Sequence, residues 1–203
     1  MNVRSSESQN PVLGIDPGRR GAAVLLDRQR RIVMVAIWKP AQRKGRSGFL
    51  FRVLGNDDSV WLPDVGHLSA SLVAETRRVG VGSVDLFVED SYVGRNARTS
   101  IAGARWSGML VGAMQVSGRA GWLASVRFVL PDRWRIVAVG VAPATKRAEV
   151  KRLVIEWVRR CYPSLSLFSD ESLSDHVADA VGIAVFGVLD QQRGEDSHAA
   201  ESD

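Results

Sequence analysis

Three apolar runs open the chain, at 11–15, 21–27 and 31–38, and each is broken from the next by only a few polar residues. Runs this short, rich in Val, Ile and Leu and joined by tight turns, predict three successive strands in an antiparallel meander, with the second turn around Asp27-Arg28-Gln29-Arg30. Pro40, Gly45 and Gly48 then predict a loop over 39–52. Asp64 is placed to N-cap a helix to about Val79, with Leu68, Leu72, Val73 and Thr76 at helical spacing. "VDLFVED" reads as a fourth strand that ends in Glu89 and Asp90, and a long helical segment over 97–116 follows. "SVRFVLP" reads as a fifth strand, stopped by Pro131. Between 144 and 160, Val150, Leu153, Val154, Trp157 and Val158 mark an amphipathic helix, stopped by Pro163. "SLSDHVADAVGIAVFGVL" is the last helix, with Ser172 or Ser174 as N-cap and a stripe of Val177, Ala180, Val181, Ala184, Val185 and Val188.

Strands in series, then strands returning through helices, define an α/β class: a mixed five-stranded sheet, its first three strands antiparallel, flanked by helices. At 203 residues the chain is long enough for one substantial core. We read one domain over 11–189, between a disordered N-terminus (1–10) and an acidic disordered tail (190–203). Gly103, Gly108 and Gly112 lower the helix propensity of 97–116 and imply close packing there, either inside the chain or against a second copy.

Charge sharpens this outline. The tail holds five acids and one arginine, so the remainder is more basic than the net +5 of the whole. Residues 39–52 hold five Lys or Arg and no acid, 95–119 four Arg and no acid, and 127–160 nine basic groups against three acids. Each could be a solvated face; together they point to a polyanionic partner. The single cysteine, Cys161, excludes an internal disulfide framework. No apolar run approaches the roughly 18 residues of a membrane-spanning helix, and residues 1–10 lack the apolar centre of a signal peptide, so a cytosolic location is expected.

The chemistry-bearing residues are acids at strand ends. "VLGIDPGRRG" stops an apolar strand at Asp16, which either caps the turn that follows or holds something charged. Glu89 ends its strand in the same way. In the last helix Asp175, His176 and Asp179 fall within about 100° of arc on the side away from the valine stripe. They are either charges that favour the helix dipole or metal-competent donors. If the two strands are neighbours and the helix crosses them, Asp16, Glu89, His176 and Asp179 converge. Carboxylates so placed repel unless a cation sits among them, and oxygen-rich coordination with one imidazole suits Mg²⁺ or Mn²⁺ better than zinc. Two such ions about 3.5–4 Å apart, inside a basic surface, are what phosphodiester cleavage requires.

Four ordered blocks, "GIDPGRRG" (14–21), "VEDSYVGRNARTSIAGARWSGMLVGA" (88–113), "PDRWRIVAVGVAPATKRAEVKRLVIEWV" (131–158) and "SDHVADAVGIAVF" (174–186), resemble the RuvC family of Holliday junction resolvases, the third being similar to its phage-type members. The resemblance implies an RNase H-like fold. It also implies a homodimeric, metal-dependent endodeoxyribonuclease that resolves four-way DNA junctions by paired symmetric nicks, with two Mg²⁺ (or Mn²⁺) per site, in a bacterial or phage-infected cell. It makes Asp16, Glu89 and Asp179 metal ligands, with His176 or Asp175 as the fourth. Tyr92 would then stack on unpaired bases or be a half-buried strand-end residue. Arg95, Asn96, Arg98, Lys146 and Arg147 are candidate DNA contacts, as are Lys44 and Arg46 in the basic loop. Trp134 could stack on DNA, though a core position suits it better. Rival expectations are a broader branched-DNA nuclease, an RNA-processing enzyme of the YqgF type, and a module that binds branches without cutting.

Overall fold

Val12–Asp16 (β1), Gly21–Leu26 (β2) and Ile32–Arg43 (β3) form the expected antiparallel meander. They belong to a computed structural model that describes residues 10–56, 58–90, 97–119, 121–167 and 171–200. The chain continues through Arg46–Val53 (β4), Val60–Leu62 (β5), Val65–Arg78 (α1), Val84–Glu89 (β6), Ala97–Gly118 (α2) and Leu123–Val129 (β7). A short helix, Pro131–Trp134 (α3), runs into a π-helical turn at Arg135–Val139, and Arg147–Cys161 (α4) and Glu171–Ala200 (α5) complete the order. Among the described residues no helix is long and apolar enough to cross a membrane.

The sheet has seven strands in the order β5-β4-β3-β2-β1-β6-β7, with β1, β6 and β7 parallel. The fold class is therefore the expected α/β one, but the strand count is seven and not five. Of the two additional strands, β4 comes from the region read as a loop at 39–52, into which β3 also extends, and β5 lies just beyond it. Lys44 and Gly45, at φ 50° and 75°, make a two-residue turn that folds β3 back on β4. Pro40 is tolerated because β2 ends opposite Trp38, so beyond that point β3 has a paired neighbour on one side only.

Both sheet faces are covered, which is why β1 and β2 read as unbroken apolar runs. Val12, Val24, Ile37 and Phe87 pack under α5 and α4; Leu13, Ile15, Trp38 and Leu86 pack under α1 and α2. α1 starts as predicted, Asp64 accepting from the His67 amide at 2.9 Å. The final helix starts at Glu171, so Ser172 and Ser174 lie inside it and neither is its N-cap. It also continues past Leu189 to Ala200, and Asp190 and Gln191 of the expected tail bond Arg127 and Asp85. Trp134 is fully buried against Gly182, a core position.

α5 lies so close over β1 that a Cβ on Gly14 would collide with the backbone of Ala180 and Ala184. Gly14→Ala is expected to destabilise the chain by about 1–3 kcal/mol through overpacking. Gly82→Ala, where a Cβ meets open space, should change it by less than about 0.5 kcal/mol. Urea unfolding of the two variants checks this.

Candidate active site

The parallel register of β1 and β6 sets Ile15 beside Val88, so Asp16 and Glu89, one step further on, end their strands at the same sheet edge. Alternation along each strand does the rest. Val12, Gly14 and Asp16 share the face covered by α5, as do Phe87 and Glu89. α5 crosses that face with His176 and Asp179 one helical turn apart.

Asp16 caps its turn and also reaches into the site. Its Oδ1 accepts from the Gly18 amide at 3.3 Å, capping the turn, and its Oδ2 accepts from Nδ1 of His176 at 2.5 Å. Because a carboxylate only accepts, that bond leaves Nε2 as the imidazole atom able to take a further partner. The hydrogen bond to Asp16 raises the His176 pKa against the opposing effect of burial. Asp175 sits apart. Burial would raise its pKa, but a 2.5 Å bond from Lys151 of α4 and the charge of His176 hold it below the usual range.

Glu89 and Asp179 carry the electrostatic cost of this arrangement. Burial, then repulsion from Asp16 and Asp179, pushes the Glu89 carboxyl up to about 8. Burial, then Asp16, pushes Asp179 up to about 7. The opposing influence is Arg135, whose guanidinium lies 3.5 Å from Glu89 Oε1 and 3.9 Å from Asp179 Oδ2 while stacking over Trp134. Its buried Nε has no hydrogen-bond partner among the described residues. The π-helical turn that begins at Arg135 aims it into the site, a use of π-turns common at functional positions.

The acids form the floor of a cleft of about 880 Å³. Trp106 and Ser107 of α2 form one wall, Pro131, Asp132 and Arg135 another, and Arg19, Arg147 and Lys151 stand around the rim. Among the described residues no three His, Cys, Asp or Glu side chains are closed around a point as metal ligands. The donors are gathered on one floor, and their chemistry, hard oxygens and one imidazole under mutual repulsion, fits a hard divalent cation.

Of the sequence-derived candidates, Asp16, Glu89, Asp175, His176, Asp179 and Arg147 line this cleft. Lys146 is the cap residue just before α4, and Arg98 is exposed in the first turn of α2. Lys44 and Arg46 lie on the β3–β4 turn. Tyr92, Arg95 and Asn96 fall outside the described residues. Arg135, Lys151 and Trp106 were missed. Their spacing in sequence carries no mark of the site, apart from membership in the basic segment 127–160 for the first two.

In class, then, the chain is a mixed-sheet α/β protein with largely buried acids at the carboxyl ends of two parallel strands. No protein-family model matches it, and no curated protein sequence does. Among solved structures it is similar to Thermus thermophilus RuvC (17% identity, TM-score 0.48, 91% of this chain and 96% of that one). It is also similar to T. thermophilus RuvC in complex with a Holliday junction substrate (18%, 0.46, 92% and 97%). A third such structure is the yeast mitochondrial Holliday junction resolvase Ydc2 (14%, 0.44, 90% and 80%).

The raised carboxyls set a pH dependence. Between the ordinary carboxylate range and about 7–8 the folded chain holds protons on Glu89 and Asp179 that the unfolded chain releases. Stability therefore falls as pH rises through that window. The His176–Asp16 pair acts in the same direction, since its stabilisation is full below the unfolded imidazole pKa and is lost above the raised one. In EDTA, thermal melts should show a Tm at pH 8 below that at pH 5.5 by on the order of 5 °C. Asp179→Asn should flatten the difference.

Proposed function

We propose that this chain is a divalent-metal-dependent endonuclease that resolves four-way DNA junctions as a homodimer. The observation that carries the reading is the floor of the cleft. Three carboxylates from β1, β6 and α5 are buried together at a cost visible in the raised pKa values of Glu89 and Asp179. Packing alone does not explain such a cluster, because an apolar substitution at any of the three would relieve the repulsion.

In this reading Asp16, Glu89 and Asp179, with His176 turned by its bond to Asp16, hold the metal ions. When bound, these ions would activate water and neutralise charge on a phosphodiester. Arg135 partly offsets the acids' charge, and from the cleft wall its guanidinium is placed to meet a phosphate oxygen. Arg147 and Lys151 at the rim add positive charge along the strand's path. The resemblance of the four sequence blocks to RuvC resolvases favours a branched DNA substrate over RNA.

A two-fold substrate calls for a two-fold enzyme. Ile101, Gly108, Met109, Gly112 and Val116 lie within about 100° of arc on the outer side of α2. Their three large side chains are 51%, 52% and 82% exposed. A Cβ on Gly108 or Gly112 would meet open space, so these glycines are not explained by close packing within the chain. We assign this face to the dimer contact.

Cleavage of a labelled four-way junction beside duplex, fork and single-stranded RNA, with Mg²⁺, Mn²⁺ or EDTA, tests the activity. Paired nicks in opposite strands, dependent on metal, are expected on the junction. Asp16→Asn and Glu89→Gln should lose more than the 10–100-fold typical of outer-shell changes around a metal while still binding the junction. Metal-independent cutting, or full activity in either variant, would refute the mechanism. Separately, Ile101→Asp with Val116→Asp, both outside the cleft, should yield a monomer in sedimentation velocity, and that monomer should nick one strand at a time. A variant that remains dimeric would remove α2 from the interface.

A further inference from the structure

The β3–β4 hairpin is a long structure with all its strand cations on one face. β3 and β1 run in the same direction, and Asp16, Ala22 and Ile37 form one row across the sheet. From Ile37 the hairpin therefore continues beyond the edge on which the acids sit. β5 reaches only Phe49 of β4, so the last three pairs, Ala41 with Gly48, Gln42 with Ser47 and Arg43 with Arg46, project as a two-stranded ribbon.

Alternation assigns the side chains. Val35 and Ile37 pack on the α5 side of the sheet, so Lys39 and Arg43 face that side, and through the pairing so do Arg46 and Arg52. Asp16 and Glu89 face it as well. The opposite face carries Trp38, Pro40, Gln42, Ser47, Phe49 and Phe51, with no charge among them. Lys44 is at the tip. Arg43 and Arg46 stand directly opposite each other, a like-charge cross-strand pair that weakens a hairpin, and residues 39–52 contain no acid.

We infer that the α5-side face of the β3–β4 ribbon binds the phosphate backbone of a duplex arm leaving the cleft. The occupant is double-stranded DNA, held without regard to sequence. A polyanion supplies the counter-charge that the Arg43–Arg46 pair lacks among the described residues. The inference rests on the DNA-nuclease reading and adds to it a second contact, remote from the cut. Six residues of strand and two inter-strand spacings put the tip roughly 20–25 Å from Asp16, or about six to seven base pairs along an arm.

The test is junction binding in EDTA across a salt series, using full-length protein and fluorescence anisotropy. The variant Arg43→Ser/Lys44→Ser/Arg46→Ser changes only exposed residues at the end of the ribbon. It should lower the slope of log K against log salt by about 2–3 and weaken binding on the order of 10–100-fold near 0.15 M salt. On a loop-capped junction with arms cut to about five base pairs it should bind like wild type. Arg43→Lys/Arg46→Lys should keep the wild-type slope, which separates charge from misfolding. An unchanged slope in the serine variant would overturn the inference, as would loss of cleavage at saturating enzyme. Wild type that binds long arms with a slope steeper than the serine variant's by that amount but cuts nothing with either metal would refute the nuclease reading and leave the arm contact standing. Wild type that cuts, beside a serine variant that binds equally well, would refute the arm contact alone.

Discussion

The approach of α5 to β1 is the contact on which the rest of this structure depends. At Gly14 no side chain separates helix from strand, and that closeness brings His176 onto Asp16 and sets Asp179 beside Glu89. A wider spacing would let water reach the carboxylates and relax their repulsion. The close spacing keeps them buried, raises two of their pKa values and leaves a floor of negative charge that Arg135 only partly offsets.

Stability and chemistry oppose each other at this floor. The flanking layers are ordinary apolar packing, with Val177, Val181 and Val185 on one side of the sheet and Leu68, Leu72 and Leu110 on the other. That packing offsets the repulsion of three acids that would be better solvated elsewhere. Sites of this kind are where local rules are broken for function while the surrounding fold compensates. The π-helical turn at Arg135 and the Nε of that residue, without a partner among the described residues, belong to the same neighbourhood.

The basic elements are arranged about this floor at two distances. Arg135, Arg147, Lys151 and Arg19 stand within the cleft or on its rim. The β3–β4 hairpin carries its cations outward along the same sheet face. A single sheet thus presents acids and cations on one side, because strand alternation assigns each residue a face and the register assigns each a height.

How much of this was legible in advance depended on range. Apolar runs and caps named the meander, α1, β6 and the stripe of α5, since these follow from local periodicity and from Asp64 at a helix start. The strand-end positions of Asp16 and Glu89 and the i, i+3 spacing of His176 and Asp179 marked the candidate acids. Sequence alone mistook the hairpin for a loop, because Pro40 and Gly48 are loop-like residues until a neighbouring strand is known to be absent or close. It could not find Arg135, whose role exists only because a π-helical turn directs it at acids 44 and 46 residues away in the chain. Nor could it show that Asp16 caps its turn with one oxygen and meets His176 with the other. Local propensity is written in neighbouring residues; the pairing of charges across a sheet is decided by which strands lie side by side.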